Sequence, residues 1–338
     1  YLKDINDNNL SKEQSHFIKN NIKDKIKIDK IYFSGNYPSA YFKSIDEFNE
    51  KNIDDIISTQ KLIWNERKVP FLYVTTQTEI KIYNCFEEPK NPNNIDNKKE
   101  CYVVKSCSTK DDLTELVEVL GRIAIDSGSF WNDKNISEKF KTTKRVDKLL
   151  VDNLKITKTK LLKIIDKGIY SKEKITSIVH NLLTRSLFIL YLEDIGAIPK
   201  DYFNKIKKGA KNYFDILKDK TATYDLFSKF EMKFNGNLFI IDEVEKEIIS
   251  EREMEIISSC FWGGDVNSNQ MQLFWTPFDF KVIPIELLSE IYEMFLKETD
   301  EEKSENGEYY TPHSLVELML NEYLPWADDN NTQYNLKI

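Results

Sequence analysis

The hydrophobic positions change their period along the chain. Between Ile31 and Ser106 they form short runs rich in β-branched and aromatic residues; beyond Asp111 they recur at helical spacing. Ile31–Phe33 and Ser39–Phe42 read as strands around a Gly35–Pro38 turn. Val69–Thr75 is a β-branched and aromatic run. Glu79–Asn84 alternates, with Ile80, Ile82 and Phe86 on one face and Glu79, Lys81 and Tyr83 on the other, which reads as the strand's open face. Thr76–Thr78 between these runs reads as a hairpin turn, and Tyr102–Ser106 as a further strand. Ile45–Asn65 interrupts the series with helical spacing through Ile53, Ile56, Ile57, Leu62 and Ile63. Glu87–Glu100, polar and Pro-containing, reads as a surface loop.

From Asp111 the spacing predicts helices. Asp111–Asp126 carries a stripe of Leu113, Leu116, Val117, Leu120 and Ile123, with Ser108 or Thr109 as its cap. Ile136–Lys167 reads as two helices. Lys174–Asp194 is the most apolar, and Gly196 and Pro199 stop it. Asp201–Lys218, Thr223–Phe230, Glu243–Ser259 and Pro284–Lys297 follow. Asp300–Glu308 is an acidic linker, Tyr309–Met319 a turn entering an amphipathic helix, and Tyr334–Ile338 the start of a strand. The expected fold is α+β in three parts: a mixed N-terminal α/β domain over 1–110, a mainly helical domain over 111–299, and over 300–338 a linker with the beginning of a further, truncated domain.

Composition narrows the class. With 338 residues, 41% hydrophobic and 12% aromatic, the chain can build real cores. No apolar run approaches the ~20 residues of a membrane span. Four scattered cysteines form no disulfide framework and fit a reducing cytoplasm. His16, His180 and His313 have no second His or Cys at ligand spacing, so no zinc site is expected. The net charge of −8 is unevenly placed. Lys139–Lys220 holds 20 Lys and Arg against 9 Asp and Glu, a local +11 that leaves −19 on the rest. Such asymmetry suits a polyanion, because neutralising phosphates releases counterions. Lys205, Lys207, Lys208 and Lys211 are the candidate DNA contacts, set against the plainer reading of a solvated Lys-rich surface.

Four blocks in order carry a resemblance. They are Leu182-Leu183-x-Arg185-x-Leu187-Phe188-x-x-Tyr191-Leu192-Glu193-Asp194-x-Gly196, then Phe234-Asn235-Gly236-x-Leu238-Phe239, then Ile283-x-Ile285-Glu286-Leu287-Leu288-x-x-Ile291-Tyr292-Glu293, and finally Gly307-Glu308-Tyr309-Tyr310-Thr311-Pro312-x-x-Leu315-Val316-x-x-Met319. Together they resemble the adenine-specific (N6) DNA methyltransferases of restriction–modification systems, in the large single-chain, type IIG-like form. The resemblance implies double-stranded DNA as substrate, S-adenosylmethionine as cofactor, restriction or specificity subunits as partners, and no membrane. It places Tyr310, Thr311 and Pro312 beside the cofactor. A helix entry of that kind offers N–H groups to a carboxylate; the plain alternative is a helix cap with Pro312 at its first position. The family's glycine-rich cofactor loop and its Asn/Asp-Pro-Pro-Tyr/Phe block, which grips the flipped adenine, are absent from the sequence. The expectation is therefore of a leading portion that positions DNA and packs domains without methylating by itself.

Two alternatives come from other classes. Glu79-Ile80-Lys81 has the Glu-x-Lys form of a Mg²⁺-dependent nuclease strand, with Asp46, Asp54 and Asp55 upstream as candidate metal partners. An active nuclease, a degenerate nuclease-like fold and an unrelated α+β domain all stay open. The other alternative is a non-enzymatic helical scaffold. Arg185, in an apolar helix two turns before Glu193 and Asp194, is expected in an ion pair rather than on phosphate. Phe261, Trp262, Phe274, Trp275, Phe278 and Phe280 are expected to pack between domains rather than to stack on bases.

Overall fold

The computed structural model describes residues 1–90, 102–140, 145–166, 168–234, 237–262 and 276–297, with the isolated positions 311, 315, 316 and 319. Among them, six strands run β1 (Leu2–Asp4), β2 (Lys30–Ser34), β3 (Tyr37–Ser44), β4 (Phe71–Thr75), β5 (Ile80–Asn84) and β6 (Val103–Cys107). They lie in the sheet in sequence order. All neighbours are antiparallel except β3 and β4, which run parallel. A parallel pair needs a crossover, and α2 (Glu50–Glu66), the helix after the short α1 (Lys12–Phe17), supplies it. β2 and β3 form a hairpin on Gly35-Asn36, with Gly35 at φ +63, a left-handed conformation glycine adopts without strain.

Both faces of the sheet are covered. Ile31, Phe33, Tyr41, Leu72 and Val74 pack against Ile56, Ile57 and Ile63 of α2. On the other face Tyr32, Phe71, Tyr73 and Ile82 meet Leu116 and Leu120 of α3 (Lys110–Leu120), Ala124 of α4 (Arg122–Ser127) and Phe130. Ile136 of the short α5 (Lys134–Ser137) and Phe140 complete that layer. The change of pattern at residue 110 marks the onset of helices, and packing on the sheet continues to Phe140.

Three sequence expectations change here. Lys81 and Tyr83 do not face solvent: both are buried, because their face of β5 lies under α2 and its flanking residues. The Asp111–Asp126 stripe is one helix only to Leu120. Leu116 and Leu120 are buried, whereas Leu113, Val117 and Ile123 are exposed. The break falls at Gly121, where an added Cβ would stand 2.1 Å from the Val117 carbonyl oxygen. Gly121→Ala is therefore expected to cost about 1–3 kcal/mol through overpacking, read as a lower urea midpoint. An unchanged midpoint would show that the α3–α4 corner shifts freely.

The helical unit is built from α6 (Val146–Ile165), α7 (Lys172–Asp194), α8 (Tyr202–Ile206), α9 (Tyr213–Leu217), α10 (Lys220–Lys233), α11 (Glu243–Ile248), α12 (Glu251–Phe261) and α13 (Ile285–Lys297). Asp201–Lys218 and Glu243–Ser259, each predicted as one helix, are two apiece. α7 spans 23 residues and is long and apolar enough to cross a membrane by length and composition, although it holds no uninterrupted apolar run of that length. Its apolar positions are spent on the core instead: Ile175, Ile178, Val179, Leu182, Leu183 and Leu190 are all buried.

α2 joins the two units. Trp64 belongs to the helical core, 6.2 Å between ring centres from Phe278. Asn65, fully buried, donates Nδ2–H to the Pro277 carbonyl at 2.9 Å and accepts the Asp279 N–H at 3.0 Å. That side chain thus pairs with the 276–283 strap much as a neighbouring strand would. Lys61 Nζ donates to the Thr276 carbonyl. Arg67, holding a left-handed backbone at φ 71, reaches Asp147 at the start of α6 (3.3 Å) and Glu290 of α13 (2.8 Å).

Candidate nucleic-acid interface

The four candidate lysines lie at the end of α8 and in the turn between α8 and α9. α7 ends at Asp194, Gly196 (φ +76) reverses the chain, and Gly209 (φ +90) separates α8 from α9. Of the four predicted DNA contacts, Lys205 pairs with Asp201 at 2.5 Å and Lys207 with Asp219 at 3.3 Å. Lys208 and Lys211 are exposed and have no ion-pair partner among the described residues. Two of the four thus carry ion pairs and two do not, although Lys211 donates its N–H to Asp215 at 3.1 Å and its charge helps to lower that carboxyl. Exposed pairs of this kind contribute little to stability, so Lys205 and Lys207 can exchange carboxylate for phosphate at small cost.

Beside these lysines lies a cleft of about 700 Å³, lined by Glu193, Asp194, Lys200, Asn204, Gly209 and Lys211. Asn204 Oδ1 accepts the Gly209 N–H at 2.8 Å and so fixes the turn. A narrower recess of about 150 Å³ continues from the same two carboxylates between Phe214, Trp262, Phe278 and Phe280. Glu193 accepts the Tyr213 N–H at 3.1 Å and Asp194 the Phe280 N–H at 2.9 Å. Burial pushes Glu193 up to about 7, with Asp194 and Asp215 adding repulsion. Burial likewise lifts Asp194 to about 6; Asp279 reinforces this and Lys61 opposes it. Sequence reasoning missed this cleft, since its walls come from α7, α8, α9, α12 and the strap. The one local signal was the adjacent Glu193-Asp194 pair at the end of an apolar helix.

Arg185 is fully buried and ion-paired as expected, but with Glu245 at 2.6 Å rather than with Glu193 or Asp194. It also donates to the Leu238 and Ile240 carbonyls, at 2.7 and 2.6 Å. No side chain so engaged is available to phosphate. Phe261, Phe278 and Phe280 are buried within the helical core itself rather than between domains, and Trp262 is half-buried; Phe274 and Trp275 lie outside the described residues.

The Glu-x-Lys strand forms a different arrangement from a metal site. Glu79 lies 3.4 Å from Lys81 Nζ and accepts the Ser106 hydroxyl at 3.2 Å. Lys81 lays its ammonium over the Phe48 ring, 4.4 Å from the centroid. Asp55, an upstream candidate, pairs with Lys43 at 2.9 Å instead. Among the described residues no three His, Cys, Asp or Glu side chains converge on a point that could hold a metal ion. These residues, paired with lysines and a hydroxyl, do not fit Mg²⁺.

Of the predicted cofactor neighbours, Tyr310 and Pro312 lie outside the described residues, while Thr311 is exposed just before the helical positions Leu315 and Val316. Upstream of them α13 seats Leu287, Leu288, Ile291 and Phe295 in the helical core, and Glu290 meets Arg67. Residues 284–333 match the family model described as N-6 DNA Methylase. The chain thus carries an N6 DNA methyltransferase-like region, and the match begins at Pro284, the residue before α13. It includes Tyr310, Thr311 and Pro312. No curated protein matches the chain, and no solved structure does. The methylase-like segment is thus locked at its leading helix to both the sheet unit, through Arg67, and the helical unit, through the buried face of α13.

Proposed function

We propose that this chain provides the DNA-positioning and domain-packing part of a site-specific DNA methyltransferase acting on adenine N6 with S-adenosylmethionine, within a restriction–modification or phage-defence system of the type IIG-like, single-chain form. The observation that carries the reading is the methylase match over 284–333, which coincides with the family-like Tyr309-Tyr310-Thr311-Pro312 turn. Tyr310, Thr311 and Pro312 would flank the cofactor, which supplies the methyl group when bound. Double-stranded DNA is the substrate, and Lys205, Lys207, Lys208 and Lys211 contact its backbone. Restriction or specificity subunits are the partners this reading implies, and the cytoplasm its setting.

The test uses the complete protein with S-adenosylmethionine labelled on its methyl group and double-stranded DNA. Label recovered as N6-methyladenine after DNA hydrolysis is the expected result; DNA left unlabelled, or label on cytosine, overturns it. Replacing the four lysines with Ala is expected to weaken DNA binding uniformly across sequences. For every phosphate that is no longer neutralised, the slope of log K against log salt should fall by roughly 1. An unmoved affinity and slope would place the DNA face elsewhere.

A further inference from the structure

The cleft at the end of α7 has a chemical character that the methyl-transfer reading does not use. Its rim is cationic: Lys200 and Lys211 are exposed, line the cleft, and have no ion-pair partner among the described residues. One wall is anionic: half-buried Glu193 and exposed Asp194 each hold one backbone N–H and line the cleft. Its inner end is aromatic, with Phe214 and Trp262 edge to face at 4.4 Å between ring centres. A simple anion suits the rim but is repelled by the anionic wall. A simple cation suits that wall but not the rim. A ligand satisfying all three parts needs an anionic group, a flat apolar ring and N–H donors on that ring.

We propose that this cleft binds a nucleotide, with the phosphate on Lys200 and Lys211, the base in the Phe214–Trp262 recess, and an exocyclic amino group donating to Glu193 and Asp194. The volume of about 700 Å³ is in the range of small-molecule sites. The recess of about 150 Å³ has room for one ring system. Stacking on Trp262 contributes affinity for any base, so preference comes from the carboxylates. Adenine and cytosine carry the amino group; thymine does not. The ligand is either a free nucleotide or one unpaired unit of a strand, since both present the same groups. All residues of the site precede 284 and so lie outside the stretch that matches the methylase model.

The experiment is calorimetric titration of this chain with dAMP, dTMP, deoxyadenosine, inorganic phosphate and the single strand (dA)8. The expected order has dAMP at least tenfold tighter than dTMP, deoxyadenosine or phosphate. The double variant Lys200→Ala/Lys211→Ala should lose at least tenfold for dAMP, while Lys163→Ala, exposed on α6, should not. Asp194→Asn, which keeps the size and the acceptor oxygen, should narrow the gap between dAMP and dTMP; it guards against a lysine effect due to general charge alone. Tighter binding of (dA)8 than of dAMP identifies the ligand as a strand unit, and equal or weaker binding identifies a free nucleotide; either supports the proposal. Phosphate binding as tightly as dAMP, an unchanged double-lysine variant, or no binding of any probe to folded protein would overturn it. None of these results bears on whether the complete protein methylates DNA.

Discussion

Replacing Arg185 with Ala is expected to remove about 3–5 kcal/mol of stability from the helical unit, a large fraction of the margin of an ordinary domain. The cost does not come from a missing attraction alone. Glu245 is 1% exposed, and burial already raises its carboxyl above its ordinary value while Arg185 holds it down. Without Arg185 that carboxylate is left charged in the core or must take up a proton, and the carbonyls of Leu238 and Ile240 lose their donors together. The guanidinium also lies over the Phe227 ring, at 5.3 Å, so truncation opens a void. Two further variants separate these contributions. Arg185→Met fills the space but still strands Glu245, and should cost nearly as much. Arg185→Met with Glu245→Leu removes both charges and should recover much of the loss. Denaturant melts of the three proteins decide it: a single Met variant losing less than about 1 kcal/mol would mean that Glu245 finds another partner or simply neutralises.

Glu66→Gln is expected to stabilise the protein at pH 8 and to be nearly neutral at pH 4. Glu66 sits at the end of α2, 1% exposed, accepting the Lys68 N–H at 3.1 Å, with the Tyr41 hydroxyl and the Cys85 thiol as neighbours. Burial pushes its carboxyl from 4.5 up to about 7, against the pull of Lys68 and Lys25. Between those values the folded protein keeps a proton that the unfolded chain has already released. Stability therefore falls as pH rises from about 4.5 to about 7, and the full penalty stands above that. At 1.36 kcal/mol per pH unit, the wild-type protein should lose about 3 kcal/mol across the window through this group. The Gln variant should not lose it. Glu193 and Asp194 act in the same direction, with less weight because they line an open cleft. Denaturation at pH 5 and pH 8, compared between the two proteins, reads the difference directly. A gap between them that does not change with pH would mean that Glu66 ionises normally in the folded state.

The strands were legible because Val69–Thr75 and Tyr102–Ser106 are β-branched and aromatic, and because turn residues separate β2 from β3 and β4 from β5. The faces were less so. Alternation along Glu79–Asn84 suggested one open side, as in many antiparallel sheets. The sheet instead lies between two helical layers, and Lys81 is buried by its stem with its charge on Phe48. Helix breaks at Gly121 and Gly209 were hidden because the apolar spacing runs on across them. β1 was invisible because its pairing with β2 spans nearly 30 residues and the strand is only three long. At the site, composition drew attention to the lysines correctly as a surface. It could not show that Asp201 and Asp219 compensate two of them, nor that residues from 193 to 280 enclose a cleft. The partner of Arg185 lay 60 residues away rather than two turns on, which is beyond any local pattern.

The grip of α2 on the strap bears on the order in which the chain is made. Lys61 and Asn65 bond to Thr276, Pro277 and Asp279 across 212–215 residues of sequence, and Arg67 reaches Glu290 across 223. At ribosomal speeds of roughly 5–20 residues per second, those partners follow α2 out of the ribosome by about 10–45 s. During that interval the sheet unit has its residues through Phe140 but lacks Val282, which packs into its α2-side core, and Trp64, Asn65 and Arg67 still lack Phe278, the strap and Glu290. The nascent sheet unit thus presents an adhesive polar and aromatic edge to its surroundings until the strap arrives to cover it, and a delay in that stretch of translation prolongs the exposure.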